Sequence, residues 1–275
     1  MDTTWRVVIS EETDPTWNLA VDEAILRSVI DDNSPNTVRI WRSSESVIIG
    51  RSQDTRAEVD IRLCNELSIP ILRRCSGGGT VYMDLGNYNY SVIANSSVFT
   101  QVKAVHHIAR FMCMAVVNLL SRLDCDSRFV PPSSVFIEDS KVSGSAQYFL
   151  YEGILHHGTL LVNADLELMQ EVLAPNPTLA KRLRSVPSVS TPVVNLSSLF
   201  GKQYQFEEIA NLLVDAIMGT LGAHNWDLGP TSTSENELTQ LLYDTKYSDP
   251  CWLLGVQRQK QITIDSTALP TNRIQ

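Results

Sequence analysis

Three consecutive glycines, set between two arginines and a β-forming run, are the first residues in this chain whose types and spacing can do chemistry. Residues 70–93 read Pro-Ile-Leu-Arg-Arg-Cys-Ser-Gly-Gly-Gly-Thr-Val-Tyr-Met-Asp-Leu-Gly-Asn-Tyr-Asn-Tyr-Ser-Val-Ile. Without a Cβ, the backbone from Ser76 to Gly79 can curl and aim several N–H groups at one anionic or carboxyl-derived group. Arg73 and Arg74 supply forked cationic donors beside that bend. A flexible hairpin loop would show the same glycines, so they do not decide the matter alone. The spacing is not that of a P-loop, since no Gly-Lys-Ser/Thr follows. It is not a dinucleotide fingerprint either, because the next residues pattern as a strand rather than a helix.

A second stretch, residues 141–161, reads Lys-Val-Ser-Gly-Ser-Ala-Gln-Tyr-Phe-Leu-Tyr-Glu-Gly-Ile-Leu-His-His-Gly-Thr-Leu-Leu. Together, Arg-Arg-x-Ser-Gly-Gly-Gly-Thr-Val-Tyr-x-Asp-x-Gly-Asn, Lys-Val-Ser-Gly-Ser-Ala and His-His-Gly-Thr-Leu-Leu resemble the lipoate–protein ligase A family. Asp-Pro-x-x-Asn-Leu-Ala-Val-Asp-Glu at residues 14–23 and Val-Ile-Ile-Gly-Arg-Ser-Gln at 47–53 belong to the same resemblance. It runs in the family's order up to about Leu199, and the combination is specific where each piece alone is weak.

The resemblance implies a two-step reaction. Lipoate attacks the α-phosphate of ATP to give lipoyl-AMP, and a lysine of an acceptor lipoyl domain then takes the acyl group. Both substrates of the first step are anions, so cations and fixed donors must screen their approach in a site that excludes water. Lys141 stands at the family's catalytic lysine and is the expected central cation. The expected binding residues are Arg73, Ser76, Gly77, Gly78, Gly79, Thr80, Val81, Asp84, Gly144, His157, Gly158 and Thr159. Asp84 has two readings, orienting the acceptor lysine or a metal, and capping the Leu-Gly-Asn turn that follows it. The implied cofactors are ATP, lipoate and Mg2+ carried with ATP; no metal-ligating set of side chains is read from the sequence. Implied partners are lipoyl domains of 2-oxoacid dehydrogenase E2 subunits, the glycine cleavage H protein and a separate accessory subunit. Arg51 and Gln53 are expected on an exposed loop near the ligand. The apolar lipoyl tail needs a tunnel, for which Val81, Tyr90 and Val92 are candidates.

Departures from the family pattern mark where contacts differ. Met83 stands where histidine is common, and Ser133-Ser134 where Arg-Asn-Asp is typical. The tail after Gly222 is too short for the accessory domain of the long ligases. Transfer from lipoyl-AMP is therefore the safer half of the expected activity. One rival is an octanoyltransferase of the same superfamily, which needs an activated thiol near the lysine; Cys75 and Cys125 are its candidates. A second is a non-catalytic lipoate-binding module. Biotin is a weaker substrate candidate, because the Gly-Arg-Gly-Arg-x-Gly loop of biotin ligases is absent.

Composition sets the outer bounds. The chain has 275 residues, 43% of them hydrophobic, enough for one substantial core. A net charge of −9 argues against nucleic acid or an anionic membrane as the main partner. Five scattered cysteines without a Cys-x-x-Cys pair favour reduced thiols and a cytoplasmic setting.

The elements that must position these groups are read from periodicity and caps. Residues 5–9 pattern as a strand. A helix is expected from Asp14–Pro15 to Ile30, with Trp17, Val21, Ala24 and Ile25 inward and Asn18, Asp22, Glu23 and Arg27 outward. Val38–Trp41 and Val47–Ile49 read as a hairpin. A helix over Glu58–Leu67, strands around the glycine loop and a long helix over Val102–Leu123 follow, the last with structural His106 and His107. Short strands are expected across residues 135–162, then helices over Asp165–Leu173 and Phe206–Leu221. Gly229–Glu235 reads as a linker, Glu237–Tyr247 as a last helix, and the final fifteen residues as unorganised. Helices interspersed with hairpins indicate an α+β fold; the resemblance implies a mixed, largely antiparallel sheet flanked by helices, of the biotin/lipoate ligase type. The expected division is a catalytic domain over 1–222 and a short extension over 223–275.

Overall fold

The chain was studied as a computed structural model, which describes residues 4–99, 102 and 106–253. Strand β1 (Trp5–Ile9) leads to α1 (Pro15–Ile30), β2 (Thr37–Trp41), β3 (Ser46–Ile49) and α2 (Ile61–Glu66). Strands β4 (Ile71–Arg73), β5 (Val81–Met83) and β6 (Asn87–Asn95) surround the glycine loop, and α3 (His106–Arg122) follows. Then come β7 (Arg128–Val130), β8 (Ser134–Ile137), β9 (Ser140–Leu150) and β10 (Gly153–Leu161). The remainder is α4 (Leu166–Val172), α5 (Pro177–Arg182), α6 (Leu196–Phe200), α7 (Phe206–Leu221), β11 (Trp226–Leu228), α8 (Thr233–Leu242) and α9 (Pro250–Leu253).

Eight strands form one sheet in the order β11-β1-β2-β6-β10-β9-β8-β7. Its first three strands are parallel and the rest antiparallel. A second sheet, β4-β3-β5, holds the strands on either side of the triple glycine. Helices α3 and α7 cover one face of the large sheet through Met112, Val116, Leu119, Leu213 and Ile217, all buried against Val38, Tyr90, Val92 and Ile154. Helix α1 covers the other face through Val21, Ile25 and Leu26, which meet Ile93 and Leu155. The whole is α+β, with a mixed and mostly antiparallel sheet between helices.

Several local expectations hold for the stated reasons. Asp14 caps α1 by accepting the Trp17 N–H, and Pro15 occupies the first turn. Asp165 caps α4 through Glu167 N and Leu168 N. Helix α7 has the bounds its apolar period predicts.

Other expectations fail. Strands β2 and β3 do not form a hairpin: they lie in different sheets, with β2 paired to β1 and β6, and β3 to β4 and β5. Helix α2 is one short run capped by Asp60, and Glu58 lies before it, buried. The short strands expected over 142–150 are one eleven-residue strand, β9, with a register shift on β8 between Val135 and Phe136. Gly229–Glu235 is not a free linker: Ser232 and Glu235 form a capping box, and the buried Glu235 carboxylate takes two bonds from Arg6, at 2.7 and 2.5 Å. The last helix starts earlier than expected and ends in a π-turn over Tyr243–Tyr247. The unorganised tail expected at the C-terminus falls on residues outside those described.

The supposed outward face of α1 is the largest reversal. Asn18, Asp22 and Glu23 are all buried. Asp22 is bonded to Arg39 at 2.9 Å and to Ser91 at 2.7 Å, and Arg39 also reaches Asn18. Burial alone would raise the Asp22 pKa; its contacts with His157, Arg39 and Ser91 override that and hold it below the usual range.

Candidate functional site

A cavity of about 460 Å³ opens beside the start of β5, β9 and β10. On one side it is lined by Thr80, Val81 and Tyr82, which leave the triple glycine as β5 begins. Across from them stand Lys141, Ser143 and Gly144 of β9 and Thr159 of β10. Residues 188–193 form a third wall, and Glu58 and Asn87 contribute polar atoms.

Lys141 is placed by main-chain pairing on both sides. Its N–H donates to Pro192 O at 2.8 Å, and its C=O accepts from Val194 N at 3.1 Å. Its side chain lies over Gly144: a Cβ there would fall 2.5 Å from Nζ. Glycine at 144 thus leaves room for the lysine side chain to lie across the strand. The ammonium makes no hydrogen bond or ion pair among the described residues. Burial, together with the charge of Arg74, pushes the Lys141 pKa down. A half-buried cation with no partner, at the edge of a cavity, is primed to receive an anion.

The glycine loop is shaped by Arg74. Its guanidinium donates to Gly77 O at 2.6 Å, Gly79 O at 2.7 Å, Ile48 O at 3.2 Å and Ser76 Oγ at 3.0 Å. Gly78 takes φ +86°, a conformation that side chains resist. A Cβ there would lie 3.6 Å from the Ala146 Cβ, so the loop and the lysine-bearing strand are in contact. Burial lowers the Arg74 pKa to about 10, and the charge of Arg73 adds to the effect.

The remaining expected residues divide cleanly. Thr80, Val81, Lys141, Gly144 and Thr159 share the cavity. Gly77, Gly78 and Gly79 do not line it. Arg73 is turned away: it is buried in a cage of carbonyls, from Gly50, Arg51, Gln53, Trp252 and Leu253. Its guanidinium is engaged by these carbonyls and does not line the cavity, contrary to the expected ligand contact. Ser76 and His157 are also absent from the cavity lining. The Ser76 hydroxyl meets His157 Nε2 at 2.6 Å, and His157 Nδ1 lies 3.6 Å from Asp22 Oδ2. Because Ser76 Oγ also accepts from Arg74 and is fully buried, this series fixes the loop to the sheet. Gly158 serves packing, since a Cβ there would overlap the Tyr90 hydroxyl of β6. Asp84 follows its capping reading: it accepts from Gly86 N at 2.9 Å and Asp165 N at 2.7 Å, outside the cavity. Of the expected tunnel residues only Val81 lines the cavity; Tyr90 and Val92 belong to the main core.

Sequence reasoning missed Asn87, Glu58 and Ser188. The Asn87 amide donates to Tyr82 O at 2.9 Å, and its buried Oδ1 has no hydrogen-bond partner among the described residues. Glu58 accepts from Ser188 N at 3.2 Å and ties the third wall down. Gln53 is buried rather than exposed: its Oε1 accepts from Thr80 Oγ1 at 2.9 Å, and its Nε2 donates to Ser188 Oγ at 3.0 Å. The Gly-Asn turn at residues 86–87 was the one signal that could have pointed to Asn87.

Residues 14–218 match the model of the lipoyl protein ligase A/B catalytic domain. The chain belongs to that family. It is 32% identical over 211 residues to the lipoate–protein ligase A of Psychrobacter cryohalolentis, an alignment that covers 77% of this chain and 59% of the relative. It is 30% identical over 244 residues to lipoate–protein ligase 1 of Staphylococcus aureus, covering 88% of this chain and 71% of the relative. Among solved structures, a lipoate–protein ligase A bound with ATP superposes with a TM-score of 0.77 at 28% identity, covering 92% of this chain and 99% of that one. A putative lipoate–protein ligase from Thermoplasma acidophilum with bound lipoic acid gives 0.75 at 27% identity, covering 92% and 100%. The archaeal bi-partite lipoate–protein ligase from the same organism gives 0.76 at 29% identity, covering 95% and 100%.

No described helix is long and apolar enough to cross a membrane. The thiols of Cys75 and Cys125, which a cysteine-based transfer would call on, are both pushed up, Cys75 to about 12, chiefly by burial. Neither is activated as a nucleophile.

Proposed function

We propose that the protein is a lipoate–protein ligase: it activates lipoate with ATP and passes the lipoyl group to a lysine of a lipoyl domain. The observation that carries this reading is the Lys141 ammonium, which has no hydrogen-bond or ion-pair partner among the described residues, on the wall of a cavity of about 460 Å³ that Thr80 and Val81 also line. In the first step a carboxylate oxygen of lipoate attacks the α-phosphorus, and the bond to pyrophosphate breaks. In the second the acceptor amine attacks the acyl carbon, AMP leaves with the bonding pair, and the amine loses a proton. Lys141 offsets the negative charge on the acyl and phosphate oxygens in both steps. The hydroxyl of Thr159 orients the mixed anhydride, and residues 188–193 form one wall of its cavity.

Magnesium fits this site as a companion of the nucleotide. No group of three or more His, Cys, Asp or Glu side chains that could hold an ion occurs among the described residues. Oxygen donors are present, however: the orphaned Oδ1 of Asn87 and the Glu58 carboxylate. Mg2+ commonly takes few protein oxygens and completes its shell with phosphates and water. Bound there, it would neutralise charge on the departing pyrophosphate.

The second reading is that activation needs a separate accessory subunit. Its support is the near-complete mutual coverage with the archaeal bi-partite ligase. The acceptors we propose are lipoyl domains of E2 subunits and of the H protein. The test is mass spectrometry of an acceptor lipoyl domain incubated with the chain, lipoate, ATP and Mg2+, and in parallel with preformed lipoyl-AMP. Modification in both reactions supports the full ligase, and modification with lipoyl-AMP alone supports the bi-partite reading. Modification in neither, or equal modification by Lys141→Ala, contradicts the proposal.

A further inference from the structure

The segment beyond the family match is wired into the wall of the cavity. Glu23 of α1 is a buried carboxylate, and two of its three partners come from this segment: Lys246 Nζ at 2.5 Å and the Tyr247 hydroxyl at 2.6 Å, beside Arg27 at 2.7 Å. Burial alone would raise the Glu23 pKa; Lys246 and Arg27 override it and lower it. A carboxylate paired and buried in this way fixes the π-turn to α1.

The chain then delivers Trp252 and Leu253 to Arg73. Arg73 donates to Trp252 O at 2.9 Å and Leu253 O at 3.1 Å, and the Trp252 indole donates back to Arg73 O at 2.8 Å. On its other side Arg73 donates to Gly50 O at 2.8 Å and Gln53 O at 2.6 Å. Gln53 carries the connection to the cavity. Its Oε1 takes Thr80 Oγ1 and Gly50 N, and its Nε2 reaches Ser188 Oγ, which also accepts Thr80 N at 2.9 Å. Thr80 and Ser188 both line the cavity.

We infer that residues 243–253 form a positioning strap for the acyl-activation site: they hold Arg73, Arg73 holds the 50–53 loop, and Gln53 on that loop sets Thr80 and Ser188. The inference rests on the reading of this cavity as the lipoyl-AMP site. It explains why an arginine in the family's signature faces away from the ligand: its role is to tie the C-terminal segment to the loop that shapes the pocket.

The test compares full-length Trp252→Ala, Trp252→Phe and Lys246→Met with wild type. Leu241→Ala, at an exposed position on α8, is the control. Three quantities are measured: lipoyl-AMP affinity by calorimetry, amide hydrogen exchange at 50–54 and 76–80, and the melting temperature. Trp252→Ala is expected to weaken lipoyl-AMP about ten-fold, the equivalent of one lost net hydrogen bond of about 1.4 kcal/mol. It also speeds exchange in both loops, while α3 and α7 keep wild-type protection. Trp252→Phe keeps the ring beside Tyr247 and Lys246 and falls between wild type and Trp252→Ala; Lys246→Met shifts both readouts in the same direction as Trp252→Ala. Leu241→Ala matches wild type. A drop in melting temperature with affinity and 76–80 exchange unchanged overturns the strap and leaves only structural support. If wild type itself does not bind lipoyl-AMP, it is the reading of the cavity that fails.

Discussion

Arg74→Met is the perturbation with the largest consequence that the structure allows to be worked out. The guanidinium serves four acceptors, and three of them are main-chain oxygens, from Ile48, Gly77 and Gly79. Hydrogen bonds from a charged donor contribute about 1.5–3 kcal/mol each, so four amount to about 6–12 kcal/mol. Against this stands the cost of a buried cation with no carboxylate beside it. Its pKa falls from 12.5 to about 10, which corresponds to about 3 kcal/mol. The Gly77 and Gly79 carbonyls lie on a partly exposed loop, where water recovers part of the loss. The net expectation is a destabilisation of about 3–5 kcal/mol. For a chain of this size that is roughly 6–20 °C in melting temperature. The assay is urea unfolding followed by tryptophan fluorescence, with lipoyl-AMP binding measured on the same samples below the transition. The bonds, not the charge, should dominate, so Arg74→Lys recovers less than half of the loss. A change below about 1 kcal/mol with unaltered binding would refute the claim that Arg74 shapes the loop.

Four further outcomes follow from the same geometry. Lys141→Met abolishes transfer yet raises the melting temperature slightly, because it removes a cation that burial disfavours; thermal unfolding beside the acceptor assay checks both signs. Gly144→Ala puts a methyl group where Nζ rests and displaces the lysine, with a loss of about a hundred-fold in transfer rate and near-native circular dichroism. Binding of lipoyl-AMP restores the depressed Lys141 pKa toward 10.5, so between the free and bound values binding takes up a proton and weakens as pH rises; calorimetry in buffers of different ionisation enthalpy reads this directly. His156 is buried and its pKa is held down to about 3. The unfolded chain therefore takes up a proton below 6.5 while the fold does not, and stability falls by about 1.4 kcal/mol per pH unit from this group as the medium is acidified toward 3. Urea unfolding at pH 6.5 and 5.0 should show that slope, and His156→Gln should flatten it.

The sequence made the fold legible wherever one residue dictates one local geometry. Asp14-Pro15 starts a helix and Asp165 caps another, because both satisfy the same orphaned N–H groups. It misled where polarity was taken for exposure. Asn18, Asp22 and Glu23 look like a wet helix face, but each finds a buried partner distant in sequence: Arg39, Ser91, Lys246 or Tyr247. Long-range pairing of that kind leaves no periodic trace. The same holds for strands β2 and β3, whose short separation suggests a hairpin while their partners lie in separate sheets. At the site, Lys141, Thr80, Val81, Gly144 and Thr159 were legible from two motifs. The inward turn of Arg73 was not, because its partners at Trp252 and Leu253 lie some 180 residues downstream. Asn87 escaped notice and Gln53 was read as exposed, because an amide side chain carries no charge to flag it, and only the fold shows which of its atoms are spoken for.

The central claim is that the Lys141 ammonium meets an acyl adenylate in the cavity it shares with Thr80 and Val81. A crystal structure with a non-hydrolysable lipoyl-sulfamoyladenosine tests it most directly. The account predicts Lys141 Nζ at hydrogen-bonding distance, about 3 Å, from the acyl carbonyl oxygen, with the linker against Thr80 and Val81. An analogue seated elsewhere, such as the groove beside Asp84, or bound with Nζ turned away from it, would contradict the account.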